Sequence, residues 1–177
     1  VMIEAPGEIR MDSERVVQIR PRFAGTVREL RKSLGDGVSK GEVIAVINSN
    51  ESLSSYEIVS PLAGSVVSRD ASVGQAVEHD DPLYTIADLS SVWADFAVYP
   101  QLAGKIRPGQ KVQIRSEVNP NREVAGSIKY VGPVLDTGTR STYGRVVLGN
   151  KDGGWSPGLF VTATITLSVD EVPIAVP

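Results

Sequence analysis

Cysteine is absent from the 177 residues and histidine occurs once, at His79. The first absence excludes disulfides, thiolate metal sites and a cysteine nucleophile, and leaves the redox compartment open. The second excludes every two-histidine metal motif and leaves one base for a catalytic triad. No serine sits in a GxSxG turn, and no glycine-rich stretch fits a P-loop or a dinucleotide fingerprint, so no catalytic residue is assigned. Runs of Lys or Arg are missing too. With 18 basic against 21 acidic residues and a net charge of -3, the chain has no basic field for a phosphate backbone, which excludes nucleic acid as the expected partner. No apolar run reaches the ~18 residues of a membrane-spanning helix. The opening VMIEAPGEIR also lacks the plan of a signal peptide, so the chain is either cytosolic or begins after a targeting segment that has been removed.

What the chain does contain is an internal repeat. A shift of 39 positions, the interval from Gly25 to Gly64, lays residues 19–47 over residues 58–86 without a gap. Identical pairs include Ala24/Ala63, Gly25/Gly64, Val27/Val66, Ser33/Ser72, Gly35/Gly74, Val38/Val77 and Ile47/Ile86. Such a repeat constrains the fold before any local propensity does. Each copy reads as short strands broken by glycine turns. The pattern predicts two small, similar sheets that bury Val27, Val38, Val43, Val46, Val66, Val77 and Ile86 between them.

This arrangement resembles the lipoyl or biotinyl domain, in which two half-motifs clasp into a flattened sandwich. Cofactor-carrying members place the modified lysine at the hairpin tip between the halves. Here that connection, NSNESLSSYEI (residues 48–58), has no lysine, and none occurs between Lys40 and Lys105. Serine and asparagine offer no amine to acylate. No cofactor is therefore expected.

The second half of the chain alternates as exposed-faced strands do. Val92, Ala94, Phe96 and Val98 interleave with Trp93, Asp95, Ala97 and Tyr99, and Val161, Ala163, Ile165 and Leu167 with threonines. With SIKYV and RVVLGN between them, and a short helical turn near Leu102, these predict a small closed or partly closed barrel. The opening segment is expected to add its first part to that barrel.

The order lipoyl half, lipoyl half, DLSSVW, RPGQKVQI, GSIKYVGPVLDTGTRSTYGRVVLGN and WSPGLFVTATITL resembles the periplasmic adaptor subunits, or membrane fusion proteins, of RND efflux pumps, in particular the heavy-metal cation branch. The resemblance implies a mainly β fold: a lipoyl/biotinyl-like sandwich (residues 15–88) inserted into a small β-barrel (residues 1–14 and 89–170), and the start of a membrane-proximal domain at 171–177. It implies a non-enzymatic periplasmic protein, attached to the inner membrane in its full-length form. Such a protein self-associates into a ring and links an inner-membrane RND transporter to an outer-membrane channel for heavy-metal efflux. The alternatives are an adaptor of an ABC-type exporter and a lipoyl or biotinyl carrier. Most members carry a long α-helical hairpin between the lipoyl halves. About ten residues stand there in this chain, too few for a coiled coil. The short connection is read as native, because ESLSSYEIVSPLAG runs on without a glycine-serine join, with excision of a hairpin as the other possibility.

Partner contacts are then expected at the exposed tip, Ser49, Asn50, Glu51 and Ser52, and in the loop LDTGTRSTYGR, at Asp136, Thr139 and Arg140. An Asp136–Arg140 pair that merely braces the loop is an equal reading, and such a pair contributes little when exposed. His79 and Asp80, in EHDD, have the chemistry of cation ligands, but they align with Lys40 and Gly41 of a turn, and a solvated turn is the simpler reading. Met2 and Met11 make no complete soft-metal site. Trp93 and Trp155 are assigned to packing.

Overall fold

The computed structural model describes residues 1–133, 135–138 and 140–167. It divides into two compact units. One comprises residues 1–10 with the chain from Ser90 onward, and the other is Met11–Leu89. Residues 168–177, including the expected start of a further domain at 171–177, lie outside the described residues, as does Thr139.

Strand β1 (Met2–Met11) opens the chain, and a single 3-10 turn follows at Ser13–Arg15. In the second unit β2 (Val16–Ile19), β3 (Gly25–Leu30), β4 (Gly37–Val38) and β5 (Val43–Ser49) recur as β6 (Ser55–Val59), β7 (Gly64–Arg69), β8 (Ala76–Val77) and β9 (Tyr84–Ala87). The structural repeat keeps the interval of the sequence repeat. Its details follow: β3 bulges against β5 between Val27 and Glu29, and β7 against β9 between Val66 and Ser68. At the turns Gly35 (φ 87°) and Gly74 (φ 88°) occupy the left-handed region that favours glycine. Each turn is tied to the opposite half, Gly35 N–H donating to Val66 O (2.9 Å) and Gly74 N–H to Val27 O (2.7 Å).

The sequence places one sheet per half, and here the structure differs. One four-stranded sheet has the order β2-β9-β7-β4 and the other β6-β5-β3-β8, so each half lends its first and its shortest strand, β2 and β4 or β6 and β8, to the other's sheet. The two-residue strands β4 and β8 find no ladder within their own half, and pairing across the repeat satisfies their backbone groups. Between the sheets Val27, Ile44, Ile47, Val66, Val77 and Ile86 form one core. Val43, expected inside, is only half-buried where β5 shifts register against β6.

In the first unit, the chain resumes with β10 (Ser91–Val98), β11 (Lys111–Ser116), β12 (Glu123–Ser127), β13 (Tyr130–Val131), β14 (Thr142–Gly149) and β15 (Phe160–Thr166). With β1 they form a seven-stranded sheet in the order β12-β11-β15-β1-β10-β14-β13. The two ends of that order, β12 and β13, are one run of chain interrupted only at Ile128 and Lys129. The sheet thus curls round on itself as a small barrel, with β1 as a full member, paired to β15 from Met2↔Thr166 to Glu8↔Phe160. Its interior takes the alternate residues, Val92, Ala94, Phe96 and Val98 on β10 and Val161, Ala163 and Ile165 on β15, each at most 1% exposed. Around Leu102 the chain makes turns rather than a helix.

Candidate partner-contact sites

The tip between the halves is a short hairpin. Strand β5 ends at Ser49 and β6 resumes at Ser55. Ser49 N–H donates to Ser54 O (2.9 Å), Glu51 N–H to Ser49 Oγ (3.4 Å), and the hydroxyls of Ser52 and Ser54 meet at 2.7 Å. Asn50 N–H reaches Ala24 O (3.2 Å), which ties the tip to the loop before β3. Of the expected contacts, Asn50, Glu51 and Ser52 are exposed, whereas Ser49 is buried and serves to close the hairpin.

Two apolar side chains stand beside these polar ones. Leu53 is 96% exposed and sits at φ 54°, a conformation that costs a non-glycine residue about 1–3 kcal/mol. Phe23 is exposed, and its backbone is held from both sides by one hydroxyl: Phe23 N–H donates to Tyr56 Oη (3.1 Å), which donates to Phe23 O (2.7 Å). The two rings meet edge to face. A periodicity search misses both residues, because each lies in an irregular segment.

The tip has a geometric twin. The bond Ser49 N–H to Ser54 O recurs 39 residues away in ring order as Asp88 N–H to Arg15 O (2.9 Å), where the chain enters and leaves the unit, reinforced by an Arg15–Asp88 ion pair at 3.0 Å. The tip is thus built as a second port, with strand ends spaced as they are where the chain continues elsewhere.

In the loop before β14, Asp136 and Arg140 are exposed. Asp136 Oδ1 accepts from Gly138 N–H (2.8 Å), and Arg140 N–H donates to Asp136 O (2.7 Å), with Arg140 at φ 54°. The two residues are joined through backbone, which leaves the guanidinium at the loop surface.

The outward face of β10, β13 and β14 carries a cluster that sequence reasoning did not assemble. Arg145 grips Asp95 with Nε and Nη2 at 2.8 and 3.0 Å and lies 3.6 Å from the ring centre of Trp93, with Tyr143 and Tyr130 at 5.1 and 5.9 Å. The hydrogen bond to Asp95 outweighs the effect of burial and raises the Arg145 pKa further. Alternation along β10 puts Trp93 and Asp95 outward, but only the register Asp95↔Arg145 brings the partners together.

His79 and Asp80 lie in the turn Glu78–Asp81. Asp81 N–H donates to Glu78 O (3.0 Å) and Glu78 N–H to Asp81 Oδ2 (2.8 Å), as Glu42 and Ser39 do in the first half. His79 Nε2 meets Asp80 Oδ1 at 3.1 Å with both side chains more than two-thirds exposed. Among the described residues no three His, Asp or Glu side chains converge as a cation site. Trp155 is buried and its backbone is bracketed by the Asn150 amide (2.9 and 3.0 Å).

Two domain families match in tandem: a CzcB-like barrel-sandwich hybrid domain over residues 15–88 and a CusB-like β-barrel domain over residues 91–168. The chain is 28% identical to the cation efflux system protein CzcB of Alcaligenes sp. (strain CT14) and to the cobalt-zinc-cadmium resistance protein CzcB of Cupriavidus metallidurans, each over 244 residues covering 98% of this chain. It spans about half the length of these relatives (47%). Since the chain has only 177 residues, a match over 244 includes at least 67 positions, the difference of the two, with no counterpart here. Among solved structures, ZneB from Cupriavidus metallidurans shares the fold, with a TM-score of 0.81 and 23% identity over 95% of this chain and 98% of that one.

Proposed function

We infer the role of this chain from the family to which it belongs, the CzcB-like membrane fusion proteins of RND-type heavy-metal efflux: in the periplasm it serves as the adaptor between an inner-membrane transporter and an outer-membrane channel. Its substrates by relay are heavy-metal cations of the kind named for its relatives, cobalt, zinc and cadmium. The full-length protein is held at the inner membrane and works as a ring of copies. It carries out no covalent chemistry, and its work is to hold and space its partners.

The observation that carries this reading is the tip. A lipoyl-type sandwich keeps its fold, its bulges and its turn glycines, yet presents Asn50, Glu51, Ser52 and Leu53 where a carrier needs a lysine. What such a unit retains is shape. In this reading Asn50, Glu51 and Ser52, with Ser49 closing the hairpin beneath them, meet the partner above, while Asp136, Thr139 and Arg140 contact the transporter.

The test is made in the native host. Deleting the gene is expected to sensitise cells to zinc, cobalt or cadmium, and a photo-crosslinking residue at Ser52 or Arg140 is expected to capture a channel or transporter subunit respectively. Unchanged resistance together with no captured pump subunit sinks the proposal. An added lipoyl or biotinyl mass on the purified protein would restore the carrier alternative.

A further inference from the structure

The barrel closes by chain continuity rather than by a complete ladder. From Glu123 to Ser127 the chain pairs with β11, and Ile128 extends that pairing by donating to Gln110 O (2.9 Å). One residue later it changes partner: Lys129 N–H donates to Arg145 O (2.8 Å) and Tyr130 pairs with Arg145 on β14. Before that switch β12 is paired to β11, and the far half of β14 is paired to β10. Among the described residues no ladder joins them.

Strand parity identifies the groups along this seam. Hydrogen bonds of an antiparallel pair alternate in direction from residue to residue. The bonds Ser116 N–H to Arg122 O and Ile128 N–H to Gln110 O mark the even positions as turned toward β11, so Glu123, Ala125 and Ser127 turn their backbone groups toward β14. On β14 the continuation Asn150 N–H to Ser90 O (2.8 Å) assigns the even positions to β10, so Val147 and Gly149 face the seam. These groups find no ladder across it. Among the described residues the wall is closed there by side-chain contact: a Cβ on Gly126 would lie 2.7 Å from Val146 Cγ1, so β12 already meets that side chain, and Val146 and Leu148 are buried behind.

We propose that the β12–β14 seam is a clasp, the line along which the barrel wall opens, with its hinge at Ile128 and Lys129. Among the described residues every neighbouring pair in the order β12-β11-β15-β1-β10-β14-β13 is hydrogen-bonded, and local openings follow the weakest cooperative boundary. Its use in letting the barrel change girth while a transporter cycles rests on the adaptor reading above. The clasp itself does not, and its test needs only the isolated 177-residue chain.

Because the chain has no cysteine, a single buried thiol reports opening without background. Val146→Cys and Leu148→Cys place the thiol behind the seam. Val161→Cys places it on β15, which is paired on both sides and equally buried. With each variant shown folded by circular dichroism, thiol labelling in native buffer is expected to run at least about 100-fold faster at 146 and 148 than at 161. A rate at either seam position equal to that at 161 means the wall opens only by global unfolding, and overturns the proposal.

Discussion

Arg145 lies with its guanidinium 3.6 Å from the ring centre of Trp93 while two of its nitrogens hold the carboxylate of Asp95 at 2.8 and 3.0 Å. A planar fork is needed for both contacts at once, and lysine has none. Replacing Arg145 by Lys is therefore expected to lower stability by about 1–3 kcal/mol, read from the urea midpoint. A cycle with Asp95→Asn is expected to show coupling of the two losses. Additive losses would mean that the stack on Trp93, not the fork, does the holding.

The repeat predicts paired responses to substitution. Gly35→Ala and Gly74→Ala each put a side chain at positive φ in open space, and each is expected to cost about 1–2 kcal/mol, equal between the halves within experimental error. Gly25→Ala and Gly64→Ala are different. There a Cβ collides with the carbonyl oxygen of Asn48 or Ala87 on the paired strand, and neither backbone can yield without breaking its ladder. Both are expected to lose more stability than the turn variants, in thermal melts of all four.

Acid sensitivity follows from two carboxylates. The hydrogen bond from Lys32, then that from Ser39 N–H, lowers the pKa of Glu42, and Gly154 N–H followed by Arg122 lowers that of Asp152. A depressed folded pKa means the unfolded chain takes up the proton first as pH falls. The stability these groups contribute is present above the ordinary carboxylate pKa and is lost on acidification, from about pH 5 downward. The doubly substituted Glu42→Gln, Asp152→Asn protein is expected to lose less melting temperature between about pH 6 and pH 3 than the parent. An identical slope would show that these pairs are screened by solvent.

Insertion tolerance separates the tip from the inner turns. Lengthening the 50–54 connection by about ten glycine and serine residues is expected to cost only about 1 kcal/mol, the entropy of a longer loop. The same insert between Ser72 and Gly74 breaks the bond from Gly74 N–H to Val27 O that joins the halves, and is expected to abolish the cooperative melt. Equal effects at both places would contradict the reading of the tip as a port.

These contrasts show why some of the molecule was legible and some was not. The repeat was legible because turn geometry leaves a chemical mark: only glycine sits easily at the φ of residues 35 and 74. The alternation of Val92 to Val98 likewise reflects a wall with one dry side. The exchange of β4 and β8 between sheets leaves no such mark, since two-residue strands carry too little pattern to name their partner. Nor could the Arg145 cluster be read, because its members come from β10, β13 and β14 and meet only through register. At the tip, sequence identified the missing lysine but not Leu53 and Phe23, whose exposure depends on irregular backbone.

The lending of β2 and β4 one way and of β6 and β8 the other has a consequence for how such a unit is assembled at all. A half made alone, residues 15–49 or 54–88, lacks two strands of its own sheet and owns two strands that have nowhere to pair. Its needs are met only by another half, which supplies two strands to each sheet. The sandwich is in this sense a dimer carried on a single polypeptide, and a free half is expected to seek a second copy of itself before it folds.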